Sequence, residues 1–113
     1  MDKYIIVFST VPDKDSAHKI TQAILTKRLA ACITITPAVQ SSYWWQGKIT
    51  MEEELQLVIK TQDKLYSRLE KMILQLHPYE VPEIIALPVI RGYSQYLGWV
   101  EAETSSSADG EEF

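Results

Sequence analysis

Cysteine is nearly absent from this chain of 113 residues, which contains only Cys32. A single cysteine cannot form an internal disulfide, and no CxxC motif is present to supply a thiolate pair for zinc or copper(I). These absences exclude a metal carrier of the thiolate-pair type.

Long apolar runs are also absent, since no stretch of the sequence approaches the roughly 20 apolar residues that a membrane-spanning helix needs. The first residues show no basic region followed by an apolar stretch and a small-residue cleavage site, the pattern of a secretory signal. We therefore expect a cytoplasmic protein with no membrane partner.

A large excess of charge of one sign is also absent from most of the chain. The formal net charge is −4, but residues 1–100 hold 11 basic and 10 acidic side chains, and the remaining five acidic ones lie in residues 101–113. The body of the protein therefore lacks the basic field that nucleic-acid binding requires, and we expect no nucleic-acid partner.

Hydrophobic periodicity indicates four strands and three helices in the order βαββαβα. The predicted strands cover residues 3–10, 31–45, 48–61 and 84–90. The first predicted helix begins near Asp13 or Asp15, the second begins at Asp63, and the third covers residues 93–101. This order predicts an α+β protein, a ferredoxin-like βαββαβ sandwich with a short C-terminal helix. We assign residues 1–103 to this domain and residues 104–113 to an acidic, polar C-terminal tail.

The two central strands form a β-hairpin too long for a domain of this size. Each would reach roughly 50 Å, whereas a compact domain of this length is roughly 35 Å across. The outer half must therefore project, and Trp44 and Trp45 point to opposite faces of it. Association with further copies would cover the aromatics and the open edges, which predicts a homo-oligomer. The alternative is a free edge protected by Pro37 and the acidic residues 52–54.

Residues 77–83, of sequence HPYEVPE, are the densest polar segment of the chain. Pro78 and Pro82 fix two φ angles and favour extended conformations in the residues before them. An imidazole, a phenol and two carboxylates lie within this stiff segment. It is either a shaped connection between a helix and a strand or a binding site.

Six segments together resemble the CutA family of divalent-cation-tolerance proteins. They are residues 9–13 (STVPD), 28–32 (RLAAC), 42–49 (SYWWQGKI), 59–61 (IKT), 77–84 (HPYEVPEI) and 96–99 (YLGW). The resemblance implies a homotrimer in which long strands extend one subunit's sheet into the next, a plan similar to that of the PII signalling proteins. It also implies a role in tolerance of copper and other divalent metals, and no enzymatic activity.

The resemblance and the polar segment together predict a cleft between subunits that binds a divalent metal ion, copper or zinc, or an unknown small ligand. The predicted metal ligands are His77, Glu80 and Glu83. The predicted ligand-binding or inter-subunit cleft residues are Tyr43, Trp45, Lys60 and Tyr79. Ser9 and Leu76 stand where some bacterial relatives carry a cysteine and a second histidine, which weakens the case for copper.

Each of these residues also has a structural interpretation. His77 could cap the end of a helix, and Glu80 and Glu83 could be solvated or salt-bridged. Lys60 could pair with one of these carboxylates across a subunit boundary or bind an anion. Tyr79 could be a hydrogen-bonded interface aromatic.

Enzyme chemistry is not predicted. Residues 9–15, after the first strand, contain neither the arginine nor the glycine of an acylphosphatase loop. Serine, cysteine and histidine are scattered without the neighbours that would activate a nucleophile. Two alternatives to metal binding remain: a PII-like small-ligand signalling trimer, and a structural scaffold in which the same residues only hold the subunits together.

Overall fold

The computed structural model describes residues 3–105, which form an open four-stranded antiparallel sheet and three α-helices. The strands are β1 (Tyr4–Val11), β2 (Cys32–Trp45), β3 (Lys48–Gln62) and β4 (Ile85–Pro88). The helices are α1 (Lys14–Thr26), α2 (Tyr66–Leu76), which follows a 3₁₀ turn at Asp63–Leu65, and α3 (Ser94–Ser105). The sheet order β2-β3-β1-β4 confirms the predicted ferredoxin-like fold.

The hydrophobic core lies between one face of the sheet and the helices α1 and α2. Alternate residues of β1 are buried, as expected for a strand with one face in a core. The core cluster consists of Ile5, Val7, Val11, Ala17, Ile20, Ile24, Leu29, Ala30, Leu57, Ile59, Leu69 and Ile73. The helical members recur at three- and four-residue spacing, which places each helix as the sequence predicts.

Helix α1 has well-defined ends. Asp13 is the N-cap, and its Oδ1 accepts a hydrogen bond from the Ser16 backbone N–H at 2.8 Å. This bond lowers the pKa of the Asp13 carboxyl below its usual range. At the other end Arg28 has a φ of 54°, and the N–H groups of Arg28 and Leu29 donate to Leu25 and Ile24 at 3.0 Å. This is a Schellman motif, which turns the chain into β2.

The β2–β3 hairpin projects from the domain, as predicted. Strand β3 pairs with β1 only from Leu55 to Gln62, so its outer half extends beyond β1. The described residues measure 43 × 30 × 23 Å along their principal axes. Gln46 and Gly47 form the turn with φ angles of 51° and 80°, the two positive values that a type I′ hairpin turn requires.

Strand β2 contains a bulge at Pro37. Thr36 pairs with Gln56 and Val39 pairs with Glu54, so two residues of β2 stand opposite Leu55. A bulge tolerates proline because its residues leave the regular ladder of hydrogen bonds. Pro37 therefore lies where the regular ladder between β2 and β3 is interrupted.

Helix α3 is longer than predicted and continues to Ser105. Thr104 is fully buried, and its Oγ1 accepts a hydrogen bond from Gln62 Nε2 at 2.8 Å. Because Gln62 is also buried, this contact holds the last turn of the helix against β3. Residues 104 and 105, assigned to the tail from the sequence, thus belong to α3, and the rest of the predicted tail lies outside the described residues.

Candidate functional site

A cleft of about 840 Å³ lies between the outer half of the β2–β3 hairpin and the segment that follows α2. Its walls are formed by both hairpin strands, by the end of β1 and by residues 78–83. The lining residues are Thr10, Ser41, Ser42, Tyr43, Trp44, Trp45, Thr50, Glu52, Glu54, Pro78, Tyr79, Glu80, Val81 and Glu83. We call this feature the acidic cleft.

The acidic cleft carries charge of one sign. Four of its lining residues are glutamates and four are aromatic, and no lysine or arginine is among them. Carboxylates and aromatic faces both attract cations, the first by charge and the second through the ring quadrupole. The chemistry of the cleft therefore suits a cation.

Glu54 is the buried centre of this group, with only 3% of its surface exposed. The Tyr79 hydroxyl donates to Glu54 Oε2 at 2.5 Å, and it lies 3.4 Å from Glu52 Oε1. The Tyr43 hydroxyl donates to the same Glu52 oxygen at 3.1 Å. Two phenols thus satisfy two carboxylates, as a buried charge requires. Burial and the bond to Glu54 raise the pKa of the Tyr79 phenol well above its ordinary value of 10.0.

His77 orients the segment that carries Tyr79. It is the C-cap of α2, with extended backbone, and it is 8% exposed. The Tyr79 backbone N–H donates to His77 Nδ1 at 3.1 Å, and His77 Nε2 lies 2.7 Å from the Thr10 carbonyl oxygen. Since a carbonyl can only accept, the proton is on Nε2. His77 therefore joins the end of α2 to β1, and its ring has no nitrogen left for a metal ion.

The predicted metal ligands do not form a site within one chain. Residues 3–105 contain no group of three histidine, cysteine, aspartate or glutamate side chains arranged to hold a metal ion. Both ring nitrogens of His77 are engaged, while Glu80 and Glu83 are exposed on the wall of the acidic cleft. The donor set of a single chain therefore does not fit copper or zinc, which favour thiolate and imidazole ligands.

The structure brings most of the other predicted residues together and leaves out Lys60. Tyr43, Trp45 and Tyr79 line the acidic cleft. Lys60 does not line this cleft, and its Nζ donates to Thr34 Oγ1 at 2.9 Å. Lys60 is paired with Cys32, at the end of β3 away from the hairpin turn, and its place in a cleft between subunits stays a prediction.

Two functional candidates, Glu52 and Glu54, were not among the predicted site residues, because the sequence favoured edge protection as the role of residues 52–54. Glu52 and Glu54 point to one face of β3 and Glu53 to the other, by the alternation of a strand. Glu52 lies opposite Ser41 of β2, two residues before Tyr43. Alternation together with the hairpin register places Glu52 diagonally next to Tyr43, which lies opposite Thr50, and places Glu54 further along the same face of β3.

The Tyr79–Glu54 bond predicts a loss of stability at high pH. The folded pKa of Tyr79 lies above that of the unfolded chain, so its contribution to stability is complete below pH 10.0 and is lost as the pH rises through the folded pKa. The difference in unfolding free energy between the wild type and Tyr79→Phe should therefore be constant below about pH 9 and shrink as the pH rises above about 10, as measured by urea denaturation. The shrinkage should be smaller in a Glu54→Gln background; an equal change there would contradict the bond.

The fold and the cleft together define a ferredoxin-like α+β protein with a projecting hairpin. A family model described as CutA1 divalent ion tolerance protein matches residues 5–103. The chain belongs to this family, which confirms the resemblance seen in the sequence.

Relatives and solved structures agree with this assignment. The divalent-cation tolerance protein CutA of Thermus thermophilus is 41% identical over 99 residues, which are 88% of this chain and 96% of the relative. Protein CutA 1, chloroplastic, of rice is 40% identical over 103 residues. These residues are 91% of this chain but only 58% of the longer rice protein. The crystal structure of CutA from Xylella fastidiosa is 41% identical, with a TM-score of 0.89 over 91% of this chain and 99% of that chain.

The family name and that of the Thermus relative describe tolerance of divalent cations and do not describe an enzyme. Within residues 3–105, no helix has the length and apolar character needed to cross a bilayer.

Proposed function

We propose that the protein acts in the tolerance of divalent cations as a cytoplasmic homotrimer that holds its ligand in the acidic cleft, at the boundary between subunits. The observation that carries the proposal is the lining of the cleft, with four glutamates, four aromatic side chains and no basic residue. Membership of the CutA1 family supports the link to divalent cations.

The exposed apolar surface of the single chain supports self-association. Many large hydrophobic side chains are exposed although the domain has a complete core, and monomeric proteins rarely expose large contiguous apolar patches. The most exposed are Trp44 (71%), Val81 (71%), Ile90 (80%), Tyr93 (69%), Ile49 (65%) and Met51 (64%). The outer strands β2 and β4 also present open edges, which a neighbouring subunit can pair with.

The ligand that fits the proposal is a cation that prefers oxygen donors or aromatic faces. Carboxylates suit manganese, magnesium and calcium, whereas sites that select copper(I) or zinc use thiolate and imidazole ligands. Glu80 and Glu83 are the best placed ligands, since they have no hydrogen bond or ion pair within residues 3–105. Tyr43 and Trp45 would form an aromatic wall beside the cation.

Calorimetry of the purified oligomer tests this function. We expect the wild-type oligomer to bind Mn²⁺ measurably, and the double variant Glu80→Gln, Glu83→Gln to lose at least about tenfold in Mn²⁺ affinity. Glu53→Gln is the matched control, because Glu53 lies on β3 between two cleft residues but is not part of the lining. Absence of measurable binding by the wild-type oligomer at millimolar cation would overturn the ligand-binding proposal.

A second candidate function is a structural or interaction scaffold without metal binding. It is favoured by the engagement of Glu54 and His77 in bonds within the chain, which leaves them no role toward a ligand. The double variant Glu80→Gln, Glu83→Gln and its control Glu53→Gln separate the two candidate functions. A scaffold would show weakened assembly of Glu80→Gln, Glu83→Gln and no cation binding by any form of the protein.

A further inference from the structure

A second hollow, of about 220 Å³, lies between α3 and the strands β1 and β3. Its lining is mostly apolar and includes two cations, Lys60 and Arg91, with no aspartate or glutamate. These two hollows of the described chain thus carry opposite charge, one acidic and one basic.

Arg91 is the cation of this surface that has no partner. Lys60 already donates to Thr34 Oγ1 at 2.9 Å, whereas Arg91 makes no ion pair or hydrogen bond within residues 3–105. Its neighbours in sequence include exposed apolar side chains, Ile90 at 80% and Tyr93 at 69%. An arginine set in an exposed apolar patch is a common feature of protein–protein interfaces.

The acidic cleft offers the complementary surface. Glu80 and Glu83 are exposed and unpaired within the same residues, and they flank Val81, which is 71% exposed. Each surface therefore combines exposed apolar side chains with unpaired charge of one sign. The surface after β4 is positive through Arg91, and the surface before β4 is negative through Glu80 and Glu83. Complementary charge of this kind selects partners and fixes their register.

The two surfaces cannot meet within one chain. Glu83 precedes β4 and Arg91 follows it, so they lie at opposite ends of a strand whose four residues span roughly 13 Å. Strand β4 is also paired along β1 from Phe8 to Ile5, which keeps its two ends apart. A contact between two different surfaces of identical chains is heterologous, and it closes into a ring when the rotation permits.

We propose that, when no divalent cation is bound, Arg91 of one copy pairs with Glu80 and Glu83 of the next copy, and that a divalent cation bound by these two carboxylates displaces it. This inference rests on the homotrimer of the proposed function and adds the residue that holds the two carboxylates when no divalent cation is bound. The apolar side chains beside Arg91 then cover Val81 and the exposed aromatics of the hairpin.

A charge-swap cycle tests the pairing, with assembly followed by sedimentation over a dilution series. Arg91→Glu should raise the dissociation constant of the oligomer at least about tenfold, since it places like charges together. Combining it with Glu80→Arg and Glu83→Arg should recover most of that loss. Lys71→Glu, an exposed lysine of α2, is the control and should assemble as the wild type does.

The outcomes separate this inference from the proposed function. If the wild type is an oligomer and Arg91→Glu assembles equally well, the pairing is overturned and the homotrimer stands. If Arg91→Glu weakens assembly and the charge swap restores nothing, Arg91 contacts some other group and the pairing is again overturned. A monomeric wild type would overturn both.

Discussion

Replacement of His77 by alanine is expected to lower the free energy of unfolding by about 3 kcal/mol. The ring is 8% exposed, so its removal leaves a cavity. The substitution also deprives the Thr10 carbonyl and the Tyr79 N–H of their partners, at 2.7 and 3.1 Å. Buried polar groups left without partners account for much of the expected loss.

Urea denaturation at one fixed protein concentration measures this effect, since dissociation contributes to the stability of an oligomer. His18→Ala is the control, because His18 is exposed on α1 and its removal should change the free energy by less than about 0.5 kcal/mol. Unchanged stability of His77→Ala, together with loss of metal affinity, would contradict the structural role and support His77 as a ligand.

Replacement of Leu87 by glutamate is expected to dissociate the oligomer. Leu87 is 52% exposed in the single chain, so the substitution costs little within one subunit. In an assembly that covers β4 it places an unpaired carboxylate in an apolar contact, at a cost of about 3 kcal/mol per interface. That cost corresponds to more than about a 100-fold rise in the dissociation constant.

Leu74→Glu is the matched control for this variant. Leu74 is a leucine of α2 with 53% exposure, so the two variants differ in place and not in residue type or exposure. Light scattering should report an intact oligomer for Leu74→Glu and a lower molar mass for Leu87→Glu. Equal masses for the two variants would remove β4 from the subunit contact.

Local features of the fold were predictable because their causes are local in sequence. Asp13 caps α1, Pro78 follows the last residue of α2 and its C-cap, and Gly47 supplies a positive φ in the hairpin turn. The projecting hairpin was also predictable, since its length follows from two long alternating strands. The bulge at Pro37 follows from the missing backbone N–H of proline.

The site could be predicted only in part because its key contacts are distant in sequence. His77 bonds to Thr10, 67 residues earlier, and Tyr79 bonds to Glu54, 25 residues earlier. No local pattern distinguishes a histidine held by a carbonyl from one that binds metal, or a solvated glutamate from one buried under a phenol. The position of Lys60 relative to the acidic cleft likewise depends on how far β3 extends past β1.

The acidic cleft acquires its proposed role only if the chain associates with itself. The molar mass of the purified wild-type protein in solution, measured by light scattering, tests this most directly. The account predicts three times the 12.9 kDa of one chain. A mass equal to that of a single chain would contradict the account, since the exposed surface after β4 and the acidic cleft would then have no neighbouring subunit.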